Sequence, residues 1–225
     1  MKKKLLDERL FACAEFVRER SVLADIGTDH AYLPVSLILD GKIDFALACD
    51  INEKPLEKAQ YTALKYNVFN KISFRLCDGL NAISKDEFSD LVIAGMGGEM
   101  IAKILCGCPY IKSEKYNLIL QPMSKANVLR KFLCENGFEI LQEKAVISNG
   151  KIYSVINAKF SRDIKKCDLL FEYLGALQKQ NDENAIAYKK KIKHSLLKKA
   201  KGILSADSEN EQAKMLLETA EKIKV

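Results

Sequence analysis

Asp25 stands two residues before Gly27 in the stretch LADIGTDHAYLP, and Asp29 and His30 follow where a phosphate-binding loop would carry further glycines. Asp50 ends the next apolar run, with Ile51 and Asn52 behind it. Asp78-Gly79 and Gly95-Met96-Gly97-Gly98 complete a set of four acidic or glycine-rich stretches. Glycine at such points lets a ligand come close to the main chain. A carboxylate about twenty residues after the first loop, as Asp50 is, can accept hydrogen bonds from both hydroxyls of a ribose. The first loop lacks the G-x-G-x-x-G that holds a pyrophosphate on helix-terminal amides, so NAD and FAD are disfavoured. S-adenosylmethionine carries no phosphate, and its ammonium group makes an aspartate welcome.

Each stretch alone has a second explanation. Asp25 and Asp78-Gly79 can be ordinary turn formers, and Asp50-Ile51-Asn52 can be a segment capping the helix that Pro55 opens. What joins them is the pattern of elements. Short β-rich apolar runs at 22–27, 45–51, 72–79, 90–98 and 116–123 alternate with helical stretches, which predicts a parallel sheet covered on both faces. Pro55 suits a first helical turn, Ser124 is expected to cap a helix after the fifth strand, and Gly137 to end it. Ligands of doubly wound sheets lie over the carboxyl ends of the strands, so the four stretches are expected to line one crevice. Asp78 would then face an adenine amino group, and Gly95 to Gly98 would form a flexible loop beside the reacting centre.

Asn149-Gly150 between FEILQEKAVI and KIYSVINAKF predicts a hairpin, so one strand runs antiparallel. A dinucleotide-binding sheet closes with parallel strands, whereas the methyltransferase version ends on such a hairpin. Beyond Ser161 the strand signal stops. Leu169, Leu174, Leu177, Ile186, Ile192, Leu196, Leu216 and Ile223 recur at helical spacing, with a polar break at 204–212.

DIGTDHAYLP, ACDINEKPLEKA, RLCDGL, IAGMGGEMI, LILQPM and the GKIYSV hairpin resemble, in order, the bacterial TrmK-type tRNA (adenine-22-N1)-methyltransferases, over roughly residues 5 to 160. The combination of DHAYLP with GMGG is the specific part. The resemblance implies an α/β fold: a class I, Rossmann-like methyltransferase domain with a seven-stranded mixed sheet (1–160) followed by a C-terminal helical, coiled-coil-like domain (161–225). It further implies S-adenosylmethionine as cofactor and the D-arm region of tRNA as substrate. Cofactor contacts are expected from Asp25, Gly27, Asp29, His30, Asp50, Ile51, Asp78, Gly79, Gly95, Met96 and Gly97. Asp29 is the candidate catalytic carboxylate near adenine N6; it serves equally as a partner for the donor ammonium. His30 stands between cofactor contact and backbone support. Gln121, Pro122 and Met123 either line the base pocket or open the next helix, and Arg9 either meets the donor carboxylate or is structural.

The formal net charge of +6 is unevenly spread: residues 188 to 201 hold seven lysines and no acid. Lys189, Lys190, Lys191, Lys193, Lys198 and Lys199 are the expected phosphate contacts, with Lys2 to Lys4 adding to them. The alternative is a solvated helix face. With 225 residues, 48% hydrophobic and 29% charged, the chain is composed like a globular protein with one full domain and a smaller appendage. Seven scattered cysteines in apolar segments are read as reduced, and two histidines without paired cysteine motifs argue against a metal. Acids interrupt the N-terminal apolar stretch, which reads as an amphipathic helix, not a signal peptide, and no apolar run is long enough to span a membrane. A monomeric cytoplasmic enzyme is expected. A methyltransferase for a small molecule or protein, and a non-catalytic RNA-binding protein keeping the fold, remain the rival readings. The hairpin is also expected to complete the sheet without help, so that a chain cut after about residue 160 would stay folded.

Overall fold

The computed structural model describes residues 5–164 and 166–225, which leaves Lys2 to Lys4 outside the described residues. β1 (Val22–Ile26), β2 (Phe45–Asp50), β3 (Ile72–Leu76), β4 (Asp90–Gly97) and β5 (Asn117–Ser124) are parallel. β6 (Phe138–Ser148) and β7 (Lys151–Phe160) complete one sheet in the order β3-β2-β1-β4-β5-β7-β6, with β7 antiparallel to both its neighbours. At the hairpin tip Asn149 (φ 50°) and Gly150 (φ 71°) are both left-handed, as a two-residue turn matched to strand twist requires.

The central strands read as continuous apolar runs because both sheet faces are covered. On one face α1 (Glu8–Phe16), α2 (Tyr32–Leu39) and α3 (Glu53–Lys65) bury Cys13, Leu33, Val35, Ala59 and Ala63 against Leu23, Ala46 and Val92. On the other, α4 (Gly98–Cys106) and α5 (Ala126–Glu135) bury Ile101, Leu105, Leu129 and Leu133 against Leu91, Ile93 and Leu118. Gly137 (φ 78°) follows α5, the left-handed stop expected of it.

Two local expectations fail. Ser124 is the last residue of β5 and caps nothing; Lys125, itself left-handed (φ 53°), stands at the start of α5 without a side-chain cap. Gly95 to Gly98 is no loop either. β4 runs through Gly97 and α4 begins at Gly98, which has no room for a side chain because the main chain of Lys125 passes against it. The register shifts at Met96 instead, a bulge that re-aims the end of β4 without ending it.

The tail comprises α6 (Leu169–Leu174), a 3-10 turn (Gly175–Lys179), α7 (Glu183–Leu204) and α8 (Glu211–Lys222). Asp168, Asp182 and Asn210 cap the three helices through their side chains. Leu196 and Ala200 of α7 pack with Leu216 and Ala220 of α8, and Ala145 and Ile152 of the hairpin join the same cluster. The tail is also tied to the sheet by polar contacts that the sequence does not announce. Arg130 on α5, wholly buried, meets both carboxylate oxygens of Glu143 at 3.0 and 2.9 Å. The same guanidinium donates to the carbonyls of Glu172 and Tyr173 and to the Tyr188 hydroxyl. A cut after residue 160 therefore removes the Glu172, Tyr173 and Tyr188 partners from a buried charge. Cys134 and Cys167, 33 residues apart, form a disulfide that also joins α5 to the start of the tail, so the reduced reading holds only for Cys13, Cys49, Cys77, Cys106 and Cys108.

Candidate active site

The strand order reverses between β1 and β4, and at this switch point a cleft of about 680 Å³ opens over their carboxyl ends. Asp25, Gly27, Asp29 and His30 reach it from β1 and the loop behind it, Asp50 and Ile51 from the end of β2, and Gly95 and Met96 from the bulge of β4. The first loop is fixed by two amides, those of Gly27 and Thr28, donating to the Cys49 carbonyl at 2.8 and 3.0 Å. Gly27 (φ 78°) also lies under the Met96 side chain, which occupies the place a Cβ would need. His30 (φ 72°) and Ala31 (φ 52°) then take two consecutive left-handed conformations without being glycine. Each such residue stores a strain of roughly 1 to 3 kcal/mol. That turn, where a glycine-rich loop would use glycine, aims Asp29 and His30 at the cleft.

The acids differ in environment. Asp25 is buried within β1, and loss of water, with the Asp50 charge adding to it, pushes its carboxyl up to about 6. Asp50 lines the cleft and accepts the Asn52 amide through Oδ1 at 2.8 Å. Asp29 has a 65% exposed side chain 3.5 Å from His30 Nε2 and 3.8 Å from Lys58 Nζ. The His30 ring stacks parallel on Tyr32 with centroids 5.0 Å apart.

Arg9 is the group whose place sequence reasoning left open. Its guanidinium lines the cleft, held by Asp7 at 2.6 Å and by Gln121 Oε1 at 3.0 Å. No local signal could reveal this, since Gln121 is 112 residues away. Gln121 is wholly buried, and the same oxygen accepts the Gly95 amide at 3.1 Å. It therefore positions Arg9 and the β4 bulge instead of facing a base. Of its two successors, Met123 borders the cleft while Pro122 turns to a separate groove beside the tail. Asp78 and Gly79, expected in the same crevice, line a smaller cleft of about 160 Å³ with Met100 and Lys103. Gly97 pairs with Ser124 at the end of β4 and does not line the cleft.

The lysine cluster divides in the same way. Lys189 is 3% exposed and donates to the Gln180 carbonyl at 2.8 Å and to Asn181 at 3.2 Å, so it anchors α7 and is closed to phosphate. Lys193 reaches the Ile223 carbonyl at 3.1 Å and ties α7 to the end of α8. Lys191 donates to the Ile152 carbonyl across the hairpin. Lys190, Lys198 and Lys199 are exposed on α7. Helical periodicity cannot separate these roles, because anchoring and other exposed lysines are interspersed within about three turns. Among the described residues no cluster of side chains could hold a metal ion, and no helix is long and apolar enough to cross a membrane.

Comparison with known proteins places this geometry. Residues 6–156 match the methyltransferase domain family. The tRNA (adenine(22)-N(1))-methyltransferase of Bacillus subtilis strain 168 is 38% identical over 154 residues, spanning 68% of this chain and 65% of the relative's length. The crystal structure of the B. subtilis m1A22 tRNA methyltransferase TrmK superposes with a TM-score of 0.82 at 32% identity, covering 98% of this chain and 97% of that one. Streptococcus pneumoniae Sp1610, a putative tRNA (m1A22) methyltransferase in complex with S-adenosyl-L-methionine, superposes with a TM-score of 0.81 at 29% identity over 96% and 97% of the two chains. With the reversed β7, the strand-end acids and these matches together, the chain belongs to the methyltransferase domain family and, within it, to the TrmK group.

Proposed function

We infer that this chain transfers a methyl group from S-adenosylmethionine to N1 of adenine 22, in the D-arm region of cytoplasmic tRNA. The observation that carries the reading is one cleft in which Asp25, Asp50 and Arg9 converge beside the exposed carboxylate of Asp29. The donor set fits S-adenosylmethionine: Asp50 for the ribose hydroxyls, Asp25 for the ammonium, Arg9 for the carboxylate. That cofactor supplies an electrophilic methyl on sulfur. Adenine N1 has an in-plane lone pair and needs no deprotonation, so the protein's main task is to hold the base in line. As the N1–carbon bond forms and the carbon–sulfur bond breaks, positive charge moves onto the purine. Asp29, exposed and lining the same cleft, is the carboxylate we assign to stabilising that charge near N6. Because N1 lies on the Watson-Crick edge, the target base must leave its stack, at a cost of about a few kcal/mol.

The test is methyl transfer from radiolabelled S-adenosylmethionine to an unmodified tRNA transcript, with the nucleoside mapped by mass. N1-methyladenosine at position 22, lost when that adenine is replaced, is the expected result. Label in a small molecule or a protein instead, with none in tRNA, would overturn the reading.

Asp25 gives the donor site a pH dependence. Its carboxyl ionises near about 6 in the folded chain, against 3.8 for the ordinary group. The attracting charge is thus lost as pH falls through that value. S-adenosylmethionine affinity is expected to be about 10-fold weaker at pH 5 than at pH 7.5, since each unit below the pKa costs a factor of ten. For stability the sign is opposite. The folded chain holds this proton more tightly than the unfolded one, so Asp25 destabilises above pH 6, and that cost fades as pH falls toward 3.8. Calorimetry across this range, with Asp25→Asn as a pH-independent control, checks the assignment; a flat wild-type profile removes Asp25 from the ammonium site.

For phosphate contacts the exposed lysines are the proposed group. Replacing Lys190, Lys198 and Lys199 with alanine is expected to flatten the log-log salt dependence of tRNA affinity by up to roughly one unit per contact. Lys189→Ala is expected to lower the melting midpoint and leave that slope unchanged. An unaltered slope in the triple variant would make these lysines a solvated face.

A further inference from the structure

A second groove, of about 610 Å³, adjoins the first and shares Leu5, His30 and Tyr32 with it. Its far wall is one face of α3, from which Lys58, Tyr61 and Lys65 project, with Tyr66 just beyond the helix end. Tyr61 is 68% exposed and the Lys65 ammonium lies 5.8 Å from the centre of the Tyr66 ring. Among the described residues Glu57 is the one acid in the lining. A large exposed tyrosine contributes nothing to the core. Aromatic faces interleaved with lysines are the arrangement that takes bases by stacking and phosphates by charge. The volume lies in the range of small-ligand sites.

We propose that this groove is a nucleotide subsite of the RNA substrate: the base next to the target stacks on Tyr61, and its phosphate meets Lys58 and Lys65. The proposal rests on the tRNA reading above. Its logic is energetic as well as geometric. Turning the target adenine into the first cleft strips its neighbour of a stacking partner. A strand entering the first cleft over the His30–Tyr32 stack passes directly into the second, where Tyr61 replaces the lost partner. Stacking of this kind is sequence-tolerant, so the subsite would favour an opened strand over a particular base.

The test compares the wild-type chain with Tyr61→Ala and Tyr61→Phe. Their affinity for an unmodified tRNA transcript is measured by fluorescence anisotropy, and for S-adenosylmethionine by calorimetry. Tyr61→Ala is expected to weaken tRNA binding roughly 10-fold, within the span of about 5- to 150-fold for losing one stacked base. Tyr61→Phe keeps the ring and is expected to stay within about twofold of wild type on that account. Donor affinity and the melting midpoint stay unchanged in both, because Tyr61 is exposed and outside the donor cleft. A transcript with 2-aminopurine beside the target should be quenched on binding the wild type and not on binding Tyr61→Ala. Unchanged tRNA affinity and retained quenching in Tyr61→Ala would overturn the subsite while wild-type tRNA methylation leaves the function standing. Equal losses of donor and tRNA affinity would assign the groove to the donor and also overturn it. A wild type that methylates only small acceptors would overturn both.

Discussion

Arg130→Met is expected to lower the stability of the folded chain by about 3 to 5 kcal/mol, a large share of the few to fifteen that hold a domain of this size. The Arg130 and Glu143 side chains are wholly excluded from water, and among the described residues no other cation lies on the Glu143 carboxylate to replace the guanidinium. Removing one partner leaves the other charge buried and unpaired. The site also has no slack. Gly175 (φ 56°), which opens the 3-10 turn, is pressed against the Glu143 carboxylate and the Arg130 guanidinium, and Gln180 donates to the Glu143 carbonyl at 2.8 Å. Removing both charges together, as Arg130→Met with Glu143→Leu, is expected to recover most of the loss, because a buried pair itself contributes little over an apolar pair of similar size. Urea unfolding of the four members of this cycle reads the coupling directly. A single variant within about 1 kcal/mol of wild type would show that water reaches the pair.

What was legible in the sequence follows from the range over which each signal acts. The parallel strands are short apolar runs whose own residues are buried on both faces, and the hairpin announces itself through the two left-handed residues at its tip; both are local. The cleft was legible for the same reason, since Asp25, Gly27 and Asp50 line it where their own strands end. The failures involve contacts between distant segments. Gln121 reads as a residue facing a substrate until Arg9 and Gly95 are seen on its one oxygen. Lys189 and Lys190 are adjacent and chemically equal, yet one faces the Gln180 carbonyl and the other solvent. The Cys134–Cys167 disulfide has no spacing motif to mark it. Asp78-Gly79 follows β3 as expected, but the local chain turns it toward α4 and a different cleft.

Asp29→Asn is expected to slow single-turnover methyl transfer about 100-fold, in the range of a positioned charge at a reacting centre, while donor affinity changes by no more than about threefold. The asymmetry follows from where the two acids sit. On the proposed reading the donor ammonium is met by Asp25, which is buried and lines the cleft. Asp29 stands at the outer rim, exposed, with Lys58 at 3.8 Å and His30 at 3.5 Å, so its charge is screened in the free enzyme. A base entering the cleft displaces the solvent around it. The same carboxylate then acts in a drier medium, at the moment when positive charge passes from sulfur to the purine and acidifies the N6 protons. Asparagine keeps the size and can still accept a hydrogen bond from N6, but it cannot offset the charge. The loss should therefore fall on the chemical step and not on binding. Measured with donor and tRNA both saturating, a rate equal to wild type would remove Asp29 from catalysis. A loss confined to donor Kd would make it the ammonium partner instead, and Asp25, its carboxyl raised to about 6 chiefly by burial, would then be a structural acid beneath the cleft.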